Sequence, residues 1–154
     1  MDIHIYNQQD DLFISKPQVV KLVSEVLQLE GVNCDEVAVQ FVDTSVICKL
    51  HQRFFNDPST TDCITFPIDQ DSDTGYRVLG EVFVCPKTGI DYASQNNLNP
   101  YHEVSLYTVH GLLHLMGYDD IEDEDEPIMR EAEQRHMQNL HKKDLLLKEE
   151  HCIS

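Results

Sequence analysis

From Val109 to Asp120 the chain reads Val-His-Gly-Leu-Leu-His-Leu-Met-Gly-Tyr-Asp-Asp, and no other stretch constrains the fold as much. His110 and His114 are four apart. On an α-helix that spacing puts both imidazoles on one face, one turn apart, where two ring nitrogens can converge on a single ion. Gly117 follows three residues after the second histidine, where a helix ends in a left-handed residue and the chain turns back. Asp120 then returns as a third ligand. Two imidazoles and one carboxylate suit one Zn²⁺ ion with an open fourth position, the arrangement of a catalytic site. The competing reading is two structural histidines that fall four apart on an apolar helix.

The spacing His-x3-His-x2-Gly-x2-ligand also occurs in metzincin proteases, where a Glu directly after the first His is the general base. Here that position is Gly111, which cannot take a proton. A zinc peptidase therefore stands as a weaker reading.

The run from His110 to Asp119 resembles the motif of the bacterial YbeY family, His-Gly-x-Leu-His-Leu-x-Gly-Tyr-Asp-His, with Asp120 in place of the last His. Thr61-Asp62-Cys63-Ile64-Thr65-Phe66-Pro67 is similar to that family's Thr-Asp-Val-Leu-Ser-Phe-Pro, and Gly80-Glu81 and Glu103 extend the likeness along most of the chain. The resemblance implies a metal-dependent, single-strand-specific endoribonuclease that matures rRNA at the 16S 3′ end and joins ribosome quality control. Its implied partners are single-stranded rRNA and the small ribosomal subunit or its proteins. Family members also carry a functional Arg before the Thr-Asp segment. Phe55 falls at that position, so Arg53, two residues away, is the residue left to take the role. The alternative from another class is a non-catalytic ribosome-assembly factor with a structural zinc site, its acidic surface docked on a basic ribosomal protein.

Composition bounds these readings. At 154 residues one domain, 1–154, is expected, long enough to bury a single core. The five cysteines are odd in number and contain no Cys-x-x-Cys pair, so neither a disulfide framework nor a sulfur metal site is indicated. The start has no basic region followed by an apolar run, and no later run is long enough to span a bilayer, so a cytoplasmic protein without membrane contact is expected. The formal charge of −17, from 28 Asp and Glu against 11 Lys and Arg, argues against nucleic acid when taken alone. Much of it is local. Asp119 to Glu126 is acidic except at Ile121, and Asp69, Asp71 and Asp73 crowd one turn, patterns that read as solvated loops.

In chain order, Ile3–Tyr6 alternates like a first strand, and Ser15-Lys16-Pro17 opens a core helix that Gly31 ends. Val37, Val39 and Phe41 mark a second strand, and Asp43 caps a helix from Thr44 to about Phe54 with Val46, Ile47, Leu50 and Phe54 as its buried stripe. Its other face carries Lys49, His51, Gln52 and Arg53, which either hold phosphates or face solvent. Strands follow at Thr61–Phe66 and Tyr76–Cys85, the first a candidate sheet edge for an extended chain, the second with Gly80 as a bulge or point of close approach. The segment 69–75 reads as mobile, and a short helix spans Lys87 to about Gln95. The motif helix begins at Tyr101 with Val104, Leu112, Leu113 and Met116 buried. A last helix runs from Pro127 to about Lys148, with His136 on its face and a tail that frays. The expectation is α+β: a small mixed sheet of about four strands packed with five or six helices.

Three residues are candidates for catalysis beside the metal ligands His110, His114 and Asp120. Glu103, two turns before His110, shares the histidine face and either accepts a proton near the ion or offsets the helix dipole. Asp119 either orients a histidine and assists proton transfer or caps the turn. Arg53 would stabilise developing charge.

Overall fold

The computed structural model describes residues 1–68 and 75–149; the acidic crowd at Asp69, Asp71 and Asp73, most of the segment expected to be mobile, and the end of the tail to Ser154 lie outside the described residues. Four strands and five helices are formed in the order β1 (Asp2–Gln8), α1 (Lys16–Glu30), β2 (Glu36–Val42), α2 (Thr44–Phe55), β3 (Cys63–Pro67), β4 (Val78–Val84), α3 (Pro86–Asn96), α4 (Pro100–Leu115) and α5 (Glu126–Lys142). The sheet order is β1-β2-β4-β3. The first three strands in that order run parallel and β3 is antiparallel to β4 at the edge, so the sheet is mixed and the fold is α+β as expected.

Local chemistry explains the helix limits. Asp43 accepts from the Val46 N–H at 2.9 Å and Asn99 from the Tyr101 N–H at 2.9 Å, each satisfying a donor the first turn leaves without a partner. Gly31 and Asn56 close α1 and α2 in the left-handed conformation. Gly117 does the same after α4 at φ 102°, with the Tyr118 N–H reaching back to the Leu113 carbonyl at 3.0 Å. The last helix ends at Lys142, six residues before the length its sequence suggests.

One face of the sheet meets α1, α4 and α5 through Val37, Val39, Phe41, Leu79, Val82 and Val84. Burying α4 side chains such as Leu112 and Leu113 here contributes about 1.5–3 kcal/mol each. The other face packs a smaller cluster of Val42, Ile47, Ile64 and Cys85, with α2 lying against β3. That peripheral seat corrects the stripe assigned to α2. Ile47 is buried, but Phe54 is 53% exposed, because the end of the helix overhangs the edge strand. His136, by contrast, is fully buried on α5.

Two glycines let α4 lie close to the sheet. A Cβ at Gly80 would stand 2.5 Å from the Phe66 carbonyl oxygen and 2.8 Å from Leu115 Cδ2, and the register between β2 and β4 slips there, so Gly80 is both a bulge and a point of close approach. A Cβ at Gly111 would collide with Val82 Cγ1 and crowd Thr65 Cγ2 at 3.4 Å. On an exposed helix face Gly→Ala would stabilise by about 1 kcal/mol. Gly111→Ala should instead destabilise by about 1–3 kcal/mol through overpacking, a sign that urea unfolding reads directly.

Candidate metal centre

The last two turns of α4 and the loop after Gly117 bring His110, His114 and Asp120 together. His110 Nε2 and His114 Nε2 are 3.0 Å apart. Asp120 Oδ2 lies 3.6 Å from the first and its Oδ1 3.7 Å from the second. Ligand atoms about 2.0–2.1 Å from a tetrahedral ion stand roughly 3.3 Å from each other, so this spacing fits a small divalent cation. All three side chains are half-buried. A second group, Asp2, His4 and Glu36, has comparable spacing, but its His4 and Glu36 already bond each other at 2.8 Å and Tyr76 donates to Glu36.

The other nitrogen of each imidazole is held by the protein. His110 Nδ1–H donates to Glu133 Oε2 at 3.2 Å, and His114 Nδ1–H donates to the Tyr118 carbonyl at 3.1 Å. Both lone pairs on Nε2 are thereby aimed at the same point, as in a carboxylate–histidine–metal array. Glu133 is buried on α5 and takes a second partner in Arg130, whose Nη1 alone donates to both carboxylate oxygens. Burial pushes its carboxyl upward, but the bonds from His110 and Arg130 outweigh this and hold it below the ordinary carboxylate range. For His110, burial pushes the imidazolium down while Glu133, Asp62 and Asp120 push it up, and the carboxylates prevail. Sequence reasoning missed Glu133. The available signal was a charged residue on the apolar stripe of α5, beside Met129, Ala132 and His136, where it must find a partner.

Tyr118 is anchored in turn. Its hydroxyl donates to Glu30 at 3.2 Å and accepts from Arg135 Nη2 at 3.3 Å, while Glu30 also takes Arg135 at 2.8 Å and buried His136 Nε2 at 2.7 Å. Burial raises the Glu30 carboxyl, but His136, Arg135 and Tyr118 overcome it and hold it low.

The centre opens into a cleft of about 360 Å³ lined by His51, Phe55, Thr61, Cys63, Ile64, Thr65, the two ligand histidines, Asp119, Asp120 and Ile121. Asp119 is therefore in the cleft, and its Oδ1 also caps the turn by accepting from Asp120 N at 2.7 Å and Ile121 N at 3.2 Å. Glu103 is not brought to the cleft. It shares a helix face with His110 but lies about 10 Å away along the axis, at 1.5 Å per residue, and is buried where α4 packs on Gly89 of α3. Arg53 is exposed and lies over the Phe54 ring at 5.4 Å, outside the cleft wall, where Phe55 stands instead. The Cys63 thiol, which also lines the cleft, is pushed well above its ordinary range, first by burial and then by Asp62, Asp120 and Glu133.

The family model described as Endoribonuclease YbeY matches residues 4–141. The chain belongs to this family. The Endoribonuclease YbeY of Protochlamydia amoebophila is 54% identical over 146 residues, covering 95% of this chain and 97% of that one. That of Chlamydia trachomatis is 44% identical over 133 residues, covering 85% and 83%. The solution structure of TM1509 from Thermotoga maritima matches with a TM-score of 0.66 at 26% identity, covering 92% of this chain and 91% of that one. The likeness read from two short motifs thus extends over nearly the whole chain.

Two predictions follow the hydrogen bonds of the centre. Glu133→Gln should weaken zinc binding about 10- to 100-fold at pH 8, measured by competition with a chromogenic chelator. Because the ion requires a neutral imidazole, affinity falls as pH drops through the raised His110 pKa; the variant, lacking the carboxylate charge, should lose its affinity at a lower pH than the wild type. Glu30 has a depressed pKa, so its stabilisation is present above the ordinary 4.5 and is lost as pH falls through the lower folded value. Glu30→Gln should accordingly destabilise by about 1.5–3 kcal/mol at pH 7 and progressively less below pH 4.5, read from urea unfolding across pH.

Proposed function

We infer that the chain is a metal-dependent endoribonuclease that cuts single-stranded RNA, with precursor rRNA at the 16S 3′ end as its substrate, in ribosome maturation and quality control. The observation that carries this reading is the convergence of His110, His114 and Asp120 at the floor of an open cleft in a chain of the YbeY family. The rRNA substrate and a small-subunit partner are implied by that family. Among the described residues no helix is long and apolar enough to cross a membrane, which accords with work in the cytoplasm.

One Zn²⁺ ion is the cofactor that this donor set suits, held by the two Nε2 atoms and the Asp120 carboxylate with a further position open to the cleft. When bound, it supplies Lewis acidity to a phosphoryl oxygen or makes a water more acidic. The chain does the rest. Glu133 and the Tyr118 carbonyl fix both imidazole tautomers. Asp119, whose Oδ1 is already engaged by two backbone N–H groups, keeps Oδ2 as the acceptor for a proton released in the cleft. Edge strand β3 forms part of the wall, and its outer backbone groups can bind an extended chain.

The peptidase reading requires a Glu at position 111, and the contact of Gly111 with Val82 leaves no space for one. The assembly-factor reading calls for a closed structural ion, whereas these ligands line an open cleft. Zinc-loaded wild type should cut a single-stranded rRNA fragment. His114→Ala, or chelator-treated wild type, should lose about 100-fold or more in rate, and zinc should restore only the chelated protein. Equal cutting by His114→Ala would remove the metal-dependent mechanism. No cutting by zinc-loaded wild type would favour the assembly factor.

A further inference from the structure

We propose that the Phe55 ring is a stacking platform for one unpaired nucleobase of the RNA, a subsite that gives the cleft much of its hold on substrate. The inference rests on RNA being the substrate and says where this chain grips it.

Phe54 and Phe55 end α2 side by side, yet their surroundings differ. Phe54, itself 53% exposed, meets Phe66 edge-on at a centroid distance of 4.9 Å, and Phe66 meets Phe83 at 5.6 Å within the cluster under α2, so the Phe54 ring has an aromatic neighbour on the sheet side. Phe55 stands outside that cluster. It is 57% exposed, lines the same cleft as the metal ligands, and its ring contact is a tilted one with His51 at 5.6 Å and 59°. Other rings of this chain are as exposed, Phe13 also at 57%, and what sets Phe55 apart is that it lines the cleft beside His110, His114 and Asp120.

The backbone beneath the ring is well fixed. Asn56 adopts the left-handed conformation and donates from its N–H to the Gln52 carbonyl at 3.0 Å, closing α2 directly after Phe55. His51 Nδ1–H donates to the Ser59 carbonyl at 2.8 Å, fixing the ring beside Phe55. Across the lining, Ile121 adds an 80% exposed apolar side chain.

Charge makes the ring important. The cleft lining contains Asp119 and Asp120 and no Lys or Arg, in a chain of formal charge −17. Phosphate neutralisation, the usual source of affinity for nucleic acid, is therefore weak at this wall. A nucleobase offers a π-face that needs no cation, and stacking on an aromatic side chain tolerates any base.

The test is steady-state cleavage of a single-stranded RNA oligonucleotide by the zinc-loaded full chain, comparing wild type with Phe55→Ala, Phe55→Leu and Phe55→Tyr. The same RNA is also used with one abasic residue moved along its length. Phe55→Ala and Phe55→Leu should raise KM about 5- to 100-fold, with Phe55→Tyr staying within a few-fold of wild type. One abasic position should raise KM for wild type and not for Phe55→Ala, since the missing base and the missing ring are the same contact. Thermal unfolding should be nearly the same for all four proteins. An unchanged KM in Phe55→Ala, a Phe55→Leu protein that behaves as wild type, or an abasic effect that persists in Phe55→Ala would each overturn the stacking subsite while leaving the nuclease intact. If zinc-loaded wild type cuts no RNA, the nuclease reading falls and the subsite with it.

Discussion

The closeness of α4 to the sheet is the constraint on which the rest depends. Gly111 sits against Val82 of β4 and Thr65 of β3, and Gly80 of β4 sits under Leu115 and against the backbone of β3, so the motif helix is brought onto these two strands at points where a side chain would hold it off. Gly111 follows His110 directly, and the helical turn of about 100° between them means that seating one residue on the sheet commits the other to the neighbouring cleft. The same glycine that stands where a peptidase base would be thus sets the height and rotation of His110 and His114.

Around this contact the protein arranges charge at some distance from the ion. Glu133 on α5 and Tyr118 after α4 hold the two imidazoles, and each is tied back to an arginine, Arg130 or Arg135. Glu30, at the end of α1, joins Tyr118, Arg135 and buried His136 in one network. The Glu30 and Glu133 carboxylates are stable off the surface because each accepts from two or more donors, and leaving either unpaired would be far more destabilising than a neutral substitute. The end of α1 and the middle of α5 are thereby tied to the side chains and loop that position His110 and His114.

Sequence made the local features plain. Ser15, Asp43, Gly31 and Gly117 announced helix limits because capping is decided within a few residues, and the His110–Asp120 spacing foretold that His110, His114 and Asp120 converge because one helix and one turn determine it. Features that depend on distant pairings were hidden. The neighbours of β2 follow from strand pairing across many residues, whereas the edge position offered for the strand at Thr61–Phe66 is the one β3 takes. Periodicity put Glu103 on the histidine face two turns before His110 but did not reveal that α4 packs on α3 there and buries it away from the cleft. It put Phe54 in a buried stripe without knowing that α2 overhangs the edge strand. Glu133 stayed unseen because its partner lies 23 residues away. Bulk charge misled: a total of −17 argues against RNA, and the cleft lining is itself acidic, yet the chain belongs to an endoribonuclease family.

The central claim is that His110, His114 and Asp120 hold one ion through nitrogen and oxygen. X-ray absorption spectroscopy of the zinc-loaded protein tests it most directly, together with the metal content per chain. The account predicts one zinc per chain, a first shell of nitrogen and oxygen at about 2.0–2.1 Å and the outer-shell scattering of two imidazoles. A sulfur shell at about 2.3 Å, which would make Cys63 a ligand, or the scattering of fewer than two imidazoles would contradict it.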